Sequence, residues 1–513
     1  MEGDQSGEIG WGPFGSPDLF DENTRDLSRV GVIDVGSNSV RMVVFDGAAR
    51  SPAYFYNEKV MCALGAGLSE TGILNPAGRV RAVAAIGRFA KLAVGMDVSP
   101  LVTVATAAVR EASDGESFCT EVKAQAGLDL NVIDGNEEAR LSAQGVLLGW
   151  PGAEGLMCDI GGSSMELAEI SGGEVGRRAT SALGPLKLAD ISGGKKGRKA
   201  HIKSEIDRLS EEVPYRGGRL FLVGGSWRAF ARLDMLRRGY PLAVLHEYEM
   251  TRAQMRETMD WVSQREIEDL RQQTGISLAR ISLIPMAMEV LRPLLVRYKP
   301  AKIAISSYGI REGMLYEQMP EKLRRRDPLI EACHFIETRS ARMPGFGRRL
   351  FEFVKPLFTR ADYKLLRLIK AACLLHDVSW RAHPDYRSEV VFDVATQANL
   401  GGLAHDERIF LGIALLHRYR NNRKGSRFEP LFDLIPPEMQ ARAEVLGKAM
   451  RFGAMFAAMK PEEVGKLKHY PKRNVIELRL TRDNQELFGE VAKARFNSLA
   501  RSLGAETYIV QVR

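Results

Sequence analysis

Two stretches of this chain follow one plan. In VGVIDVGSNSVRMVVFDG, residues 30–47, a β-branched apolar run reaches Asp34, breaks at Gly36-Ser37-Asn38-Ser39, and resumes from Arg41 to Phe45. In GLMCDIGGSSMELAEI, residues 155–170, the order returns 125 positions later: apolar run, Asp159, a Gly161-Gly162-Ser163-Ser164 turn, then Met165, Leu167 and Ile170. Apolar runs separated by turn-forming residues predict β-hairpins, so the fold must accommodate the same hairpin twice. A third glycine turn, Gly224-Gly225-Ser226 in RLFLVGGSWRAFARLDML, has a strand before it and a helical pattern after it.

The three turns share a chemistry. Glycine lets backbone N–H groups approach an anion closely, serine and asparagine add donors, and successive N–H groups in a turn form an anion-binding nest. Phosphate is the guest such turns suit, which makes Gly36, Ser37, Asn38, Ser39, Gly161, Gly162, Ser163, Ser164, Gly224, Gly225 and Ser226 the candidate phosphate-binding residues. Asp34 and Asp159, at the strand ends, would offer hard oxygen ligands to a magnesium ion that keeps most of its waters. For either loop alone, aspartate and glycine could simply turn a hairpin; a matched pair and a third favour phosphate. Neither a Walker A pattern nor the dinucleotide G-x-G-x-x-G follows a strand.

The chemistry also needs a group that holds water. NVIDGNEEARLSAQGVLLGW, residues 131–150, reads as a short strand, a turn at Asp134-Gly135, Asn136 as helix N-cap, and Glu137 and Glu138 in the first helical turn. Both glutamates favour the helix dipole, worth ~0.3–1 kcal/mol. One of them would also orient an attacking water. At a helix N-terminus it is expected to stay ionised, acting as an acceptor rather than as a base tuned toward pH 7. Phosphoryl transfer asks for little beyond such positioning and charge neutralisation.

At 513 residues the chain exceeds one hydrophobic core, so three or four domains are expected. Hydrophobic residues make up 45% and charged residues 27%, and no run approaches the ~20 apolar residues that span a bilayer. A soluble chain with no membrane partner is the expectation. Residues 1–27 lack a basic n-region and an apolar core, so they read as a flexible tail rather than a signal peptide, and the chain as cytoplasmic. Cys62, Cys119, Cys158, Cys333 and Cys373 never fall in C-x-x-C spacing and read as buried, reduced thiols. The net charge of +8 is localised: between Glu321 and Pro430 there are 21 lysines and arginines against 13 aspartates and glutamates, the whole surplus of the chain. Such a field captures polyanions, unless it is an ordinary solvated surface.

The strings DVGSNSVRMVV, ATAAVREA, IDGNEEARL, DIGGSSMEL, VGGS and YGIREGMLYE stand in the order found in the exopolyphosphatase and guanosine pentaphosphate phosphohydrolase (Ppx/GppA) family, which residues 28–320 resemble strongly. The resemblance implies an α/β fold with two actin-like (ASKHA, RNase H-like) lobes, 28–145 and 146–312. An all-α HD-like domain, 313–455, and a small α+β C-terminal domain, 456–513, would follow. It implies that the end of a phosphate chain binds in the interlobe cleft and that orthophosphate is released with magnesium. It further implies that Glu138 is the catalytic glutamate and that Arg110 matches the arginine of the T-x-x-x-R string. Asp159, Gly161, Ser164 and Glu166 fall on matching positions of the second loop, and Asp34, Asp159 and Glu166 become the candidate metal residues. The chain departs from the family pattern at Ser163, Met165, Trp227 and Ser307, changes expected to reshape the phosphate subsites. Exopolyphosphatase activity on inorganic polyphosphate is the leading expectation. Hydrolysis of guanosine pentaphosphate, with guanosine tetra/pentaphosphate as ligands, transfer to ADP, or non-catalytic sensing would use the same cleft. Relatives are often dimers, so a homodimer is expected, and no nucleic-acid partner.

From about Pro320 the pattern turns helical, with apolar residues at 3–4 spacing. His376-Asp377 in ACLLHDVSW resembles the core of an HD-type phosphohydrolase, in which that pair ligates metal. His334, His405, His417 or Asp433 would have to complete such a site, and the competing reading is a core histidine among apolar neighbours. RYRNNRKGSR, residues 418–427, could instead guide a phosphate chain, so that the basic third domain holds its distal part. NVIELRLT, NQELFGEVAKARFNSLARSLG and AETYIVQV read as a separate strand, helix and strand. Leu487, Val491 and Phe496 would form its core.

Overall fold

The computed structural model describes residues 29–47 and 49–512; the expected N-terminal tail lies outside them. The chain divides into two compact units, with the boundary between Arg324 and Arg325.

The first unit contains the duplicated hairpins. Strands β1 (Val30–Val35), β2 (Ser39–Phe45) and β3 (Tyr54–Met61) run antiparallel, and β4 (Leu101–Ala105) and β5 (Asn131–Val132) add in parallel, giving the order β3-β2-β1-β4-β5. The second sheet repeats this. Strands β6 (Gly155–Ile160), β7 (Met165–Ser171) and β8 (Glu174–Ser181) are antiparallel, and β9 (Arg219–Val223) and β11 (Lys302–Ile305) follow in parallel, with the two-residue β10 (Glu249–Met250) at the edge. The β-branched and apolar runs bury both faces of β1 and β6, as central strands of a helix-covered sheet require. Both predicted hairpins and the strand before the third turn are present.

Helices cover the sheets. Among them are α1 (Pro76–Gly95), α2 (Ala107–Glu111), α3 (Gly135–Gly149), α4 (Gly225–Arg238), α5 (Ile284–Tyr298) and α6 (Ile310–Gln318). The cap of α3 is Asp134, whose side chain accepts from the N–H of Glu137; Asn136, expected there, lies inside the first turn. The aspartate wins because its extended backbone aims a carboxylate at the free N–H groups. The first unit also runs to Arg324, past the expected limit at residue 312, because α6 packs on α3. Their approach is closer than side chains permit: a Cβ on Gly313 would lie 1.8 Å from the Leu141 carbonyl oxygen, and one on Gly145 2.2 Å from that of Gly309. Backbone cannot yield as a side chain does, so Gly313→Ala is expected to cost about 1–3 kcal/mol in urea unfolding. A change within a few tenths of a kcal/mol would show that the helices separate freely.

In the second unit, α7 (Pro328–Ser340), α8 (Tyr363–Leu375), α9 (His405–Tyr419) and α10 (Pro437–Phe456) are the longer helices of the helical part. Strands β12 (Gly465–Tyr470), β13 (Val475–Thr481) and β14 (Glu506–Val512), with α11 (Glu490–Ser502), form the predicted α+β cap, β12 being an addition. The cap is not separate, because α10 packs on α11 and the rings of Phe452 and Phe496 lie 5.1 Å apart. Phe496 is buried, whereas Leu487 and Val491 are 46% and 53% exposed and do not form the expected core. Of the cysteines, Cys119 is half-buried and the other four are buried; all are free. Among the described residues no helix is long and apolar enough to cross a membrane.

Candidate active site

The two hairpin turns are closed alike: Gly36 N–H donates to Ser39 O at 3.1 Å, and Gly161 N–H to Ser164 O at 3.0 Å. They face each other, and Ser163 Oγ donates to Ser37 Oγ at 3.2 Å. The first turn is braced from behind, where Cys62 and Ala63 N–H groups donate to Asn38 O and Gly65 N–H to Ser37 O. The second is braced by Leu186 N–H on Gly162 O. At the third turn Gly224 has φ +110°, and a Cβ there would lie 2.9 Å from Asp159 Oδ1, so only glycine lets the turn close over this carboxylate. Ser226 and Ser164 are buried, and the Ser164 hydroxyl serves Glu166.

Strand register places the charges. Asp34, Arg41 and Lys59 are partners across β1, β2 and β3, while Asp159, Glu166 and Thr180 occupy the equivalent row of β6, β7 and β8. The row is cationic in one lobe and acidic in the other. Helix α3 brings Glu138 to the acidic row by seating Gly135 on β8, where a Cβ would meet Thr180 at 2.6 Å. Arg110 of α2 donates to Ile133 O at 2.7 Å and stands 3.9 Å from Glu138 Oε2. Arg110 therefore faces the glutamate as well as the cleft.

Glu138 Oε2 is buried without a hydrogen-bond partner. Burial first, then the neighbouring Asp159 charge, push its carboxyl up to about 8, with Arg110 opposing. Burial likewise raises Asp159, against a 2.6 Å hydrogen bond from Ser142 Oγ, and burial and Glu138 raise Glu166 well above the carboxylate range. The expectation of an always ionised Glu138 is thus corrected. The helix terminus cannot offset the removal of water and the crowding of like charges.

Two of the expected metal residues are engaged by other side chains. Asp34 Oδ2 accepts from Arg311 at 3.0 Å, and Glu166, 1% exposed, is held by Ser164 and by Thr180 at 3.3 Å. Among the described residues no three His, Cys, Asp or Glu side chains converge as a ready cation cage. Glu138 and Asp159 keep oxygens to offer. A hydrated magnesium ion needs only one or two carboxylates, and the orphaned Glu138 Oε2 fits it.

Sequence reasoning missed the cations. Burial and then Arg311 lower Arg41; burial and then Arg280 lower Lys59; burial, Arg311 and Arg280 bring Arg228 down to about 10. These five repel one another around the turns. Arg41 and Arg311 stood in the quoted strings DVGSNSVRMVV and YGIREGMLYE, and the strand period could have aligned Arg41 with Asp34. Lys59, Arg228 and Arg280 carry no local signal. Two departures from the family pattern, Met165 and Trp227, are fully buried in the second lobe's core.

The HD pair sits in the second unit. Asp377 is gripped through both oxygens by Arg342 at 2.7 Å, and His376, 4% exposed, bonds the Cys373 carbonyl at 2.8 Å. Burial holds His376 down to about 3. At Asp377 a guanidinium takes the place a cation would hold in an HD-type site.

Two sheets that repeat the order 3-2-1-4-5, each with its hairpin turn facing the other, define an actin-like α/β fold of two lobes. Residues 43–322 match the Ppx/GppA phosphatase family and residues 329–510 the C-terminal region of exopolyphosphatase. The chain belongs to the Ppx/GppA family. It is 32% identical over 143 residues to exopolyphosphatase 1 of Mycobacterium tuberculosis, a stretch covering 27% of this chain and 42% of that relative. It is 25% identical over 354 residues to the guanosine-5'-triphosphate,3'-diphosphate pyrophosphatase of Photobacterium profundum, covering 67% and 70% of the two chains. An exopolyphosphatase structure from Cytophaga hutchinsonii shares the fold with a TM-score of 0.51 at 22% identity, over 56% of this chain and 96% of that one.

Proposed function

We propose that the chain is an exopolyphosphatase, hydrolysing the terminal anhydride of inorganic polyphosphate to release orthophosphate. The observation that carries this is the cluster of cations, Arg41, Lys59, Arg228 and Arg280 around the Asp34-paired Arg311, in the same lobed unit as a carboxylate poised near neutrality. Several mutually repelling cations are stabilised by a polyanion, and a carboxylate of raised pKa is a general base at working pH. The turns around Ser37 and Ser163 bind the terminal phosphoryl group. Glu138 holds the attacking water and takes its proton, with Arg110 orienting the carboxylate. Magnesium, held by Asp159 and Glu138, would neutralise phosphate charge.

The same cleft suits guanosine pentaphosphate, a reading that the Photobacterium relative favours because it matches over two thirds of both chains. Orthophosphate release from long polyphosphate and from guanosine pentaphosphate, by wild type and Glu138→Ala, ranks the substrates. Equal release by both proteins would overturn the proposal.

Affinity is expected to follow the cations. Losing one charge-assisted contact amounts to about tenfold in affinity, so Lys59→Gln and Arg280→Gln should each raise KM by about that factor while kcat falls less. A kcat loss with KM unchanged would place these residues at the reacting phosphoryl group instead.

A further inference from the structure

The two duplicated aspartates are held by different kinds of donor. Asp34 Oδ2 accepts from the Arg311 guanidinium at 3.0 Å, whereas Asp159 Oδ2 accepts from the Ser142 hydroxyl at 2.6 Å. A guanidinium brings a full positive charge and neutralises the carboxylate it holds, while a hydroxyl fixes one oxygen and leaves the negative charge in place. Arg228 and Arg311 attract Asp159, but among the described residues neither forms an ion pair with it.

Ser142 stands one position beyond the IDGNEEARL string and four residues after Glu138, on the same face of α3, and it is fully buried. One helix therefore presents both the orphaned Glu138 carboxylate and the hydroxyl that holds Asp159. A serine inside a helix can turn its hydroxyl back to the carbonyl four residues before it; this one donates across to the end of β6 instead. The donor is also fixed in space. At this turn α3 is pinned by α6, since a Cβ on Gly313 would lie 1.8 Å from the Leu141 carbonyl oxygen. On the far side the Gly224 turn closes over Asp159 Oδ1, where a Cβ would lie 2.9 Å from it. A carboxylate confined between a rigid donor and a rigid turn is set in one orientation before any ligand arrives.

We propose that Ser142 is a positioning residue: its hydroxyl sets Asp159 as a charged oxygen ligand for a hydrated divalent cation, and the contrast with Arg311 selects Asp159 over Asp34 for that role. The proposal rests on the cation that the proposed hydrolysis uses. Cation binding is therefore read without substrate, so that the two can fail separately.

Titration of the full chain with manganese(II), followed by loss of the free ion's paramagnetic resonance signal, gives the affinity directly, manganese being suited to the oxygen ligands that magnesium takes. Asp159→Asn should remove the site, and Asp34→Asn should leave its affinity nearly unchanged. Ser142→Ala should weaken it by about 10- to 100-fold, the range for groups that orient a metal's ligands. In turnover, the magnesium concentration giving half-maximal phosphate release should rise by the same factor, with KM for polyphosphate at saturating magnesium unchanged. A merely loosened helix would not produce that split. Should Ser142→Ala fail to fold, Ser142→Cys, a weak donor of similar size, takes its place with the same loss expected. Unchanged manganese affinity in the folded serine variant, loss of the site in Asp34→Asn, or no manganese bound by wild type would overturn the proposal. A wild type that binds manganese through Ser142 and Asp159 yet releases no phosphate would support it and overturn the hydrolase reading alone.

Discussion

Glu138→Gln is expected to lower phosphate release by about 10²-fold or more, the range positioned acid–base groups contribute, with KM for polyphosphate nearly unchanged. The amide keeps the shape but cannot accept a proton, and the cations that hold the chain are untouched. Wild-type kcat/KM should rise with pH up to about 8, as the raised carboxyl becomes a base. The variant should be flat over that range. The stability consequence has the opposite sign. Because folding raises this carboxyl from 4.5 to about 8, its contribution to stability is full below 4.5 and is lost as pH rises through about 8. Glu138→Gln suffers no such loss, so its stability relative to wild type should grow across that window. A constant difference between the two unfolding curves would show that the carboxyl ionises normally.

The second large effect lies far from the chemistry. Asp327, 2% exposed, caps α7 through the N–H groups of Leu329 and Ile330, accepts from the Tyr363 hydroxyl, and is forked by Arg367 at 2.5 and 3.0 Å. Arg367→Met leaves a buried carboxylate without its cation, which costs about 3–5 kcal/mol. Denaturant unfolding should show this in the second unit's transition. Adding Asp327→Asn, which retains the cap but removes the charge, should recover much of it. No recovery would mean that Arg367 acts through packing.

Local chemistry made half of the site legible. A turn needs glycine and serine at fixed places, a helix start needs a cap, and a strand shows its period, so the hairpins, the third turn and the Glu137–Glu138 pair could be found in the chain itself. Burial is set by what packs from elsewhere, and so the titration of Glu138 could not be. The Asn136 cap failed for a smaller reason, as two turn formers two positions apart, Asp134 and Asn136, competed for one role. Lys59, Arg228 and Arg280 reach the cleft from three unrelated elements, and a lysine or arginine on a half-buried face looks the same wherever it leads. Asp377 likewise gives no sign of a guanidinium arriving from Arg342.

The mismatch between the two sheet rows has a consequence for how the protein must work. One backbone motif was written twice, yet the row beginning at Asp34 continues into Arg41 and Lys59, whereas the row beginning at Asp159 continues into Glu166 and Thr180. The two rows are therefore unlike halves, one offering cations and the other carboxylates, and on the proposed chemistry neither can stand in for its copy. Their separation becomes a dial for rate alone, since a displacement of about 1 Å can cost 10²-fold in turnover while the collecting row still holds its guest. On the proposed chemistry, a small shift between the lobes would turn the protein from a consumer of phosphate chains into a store of them.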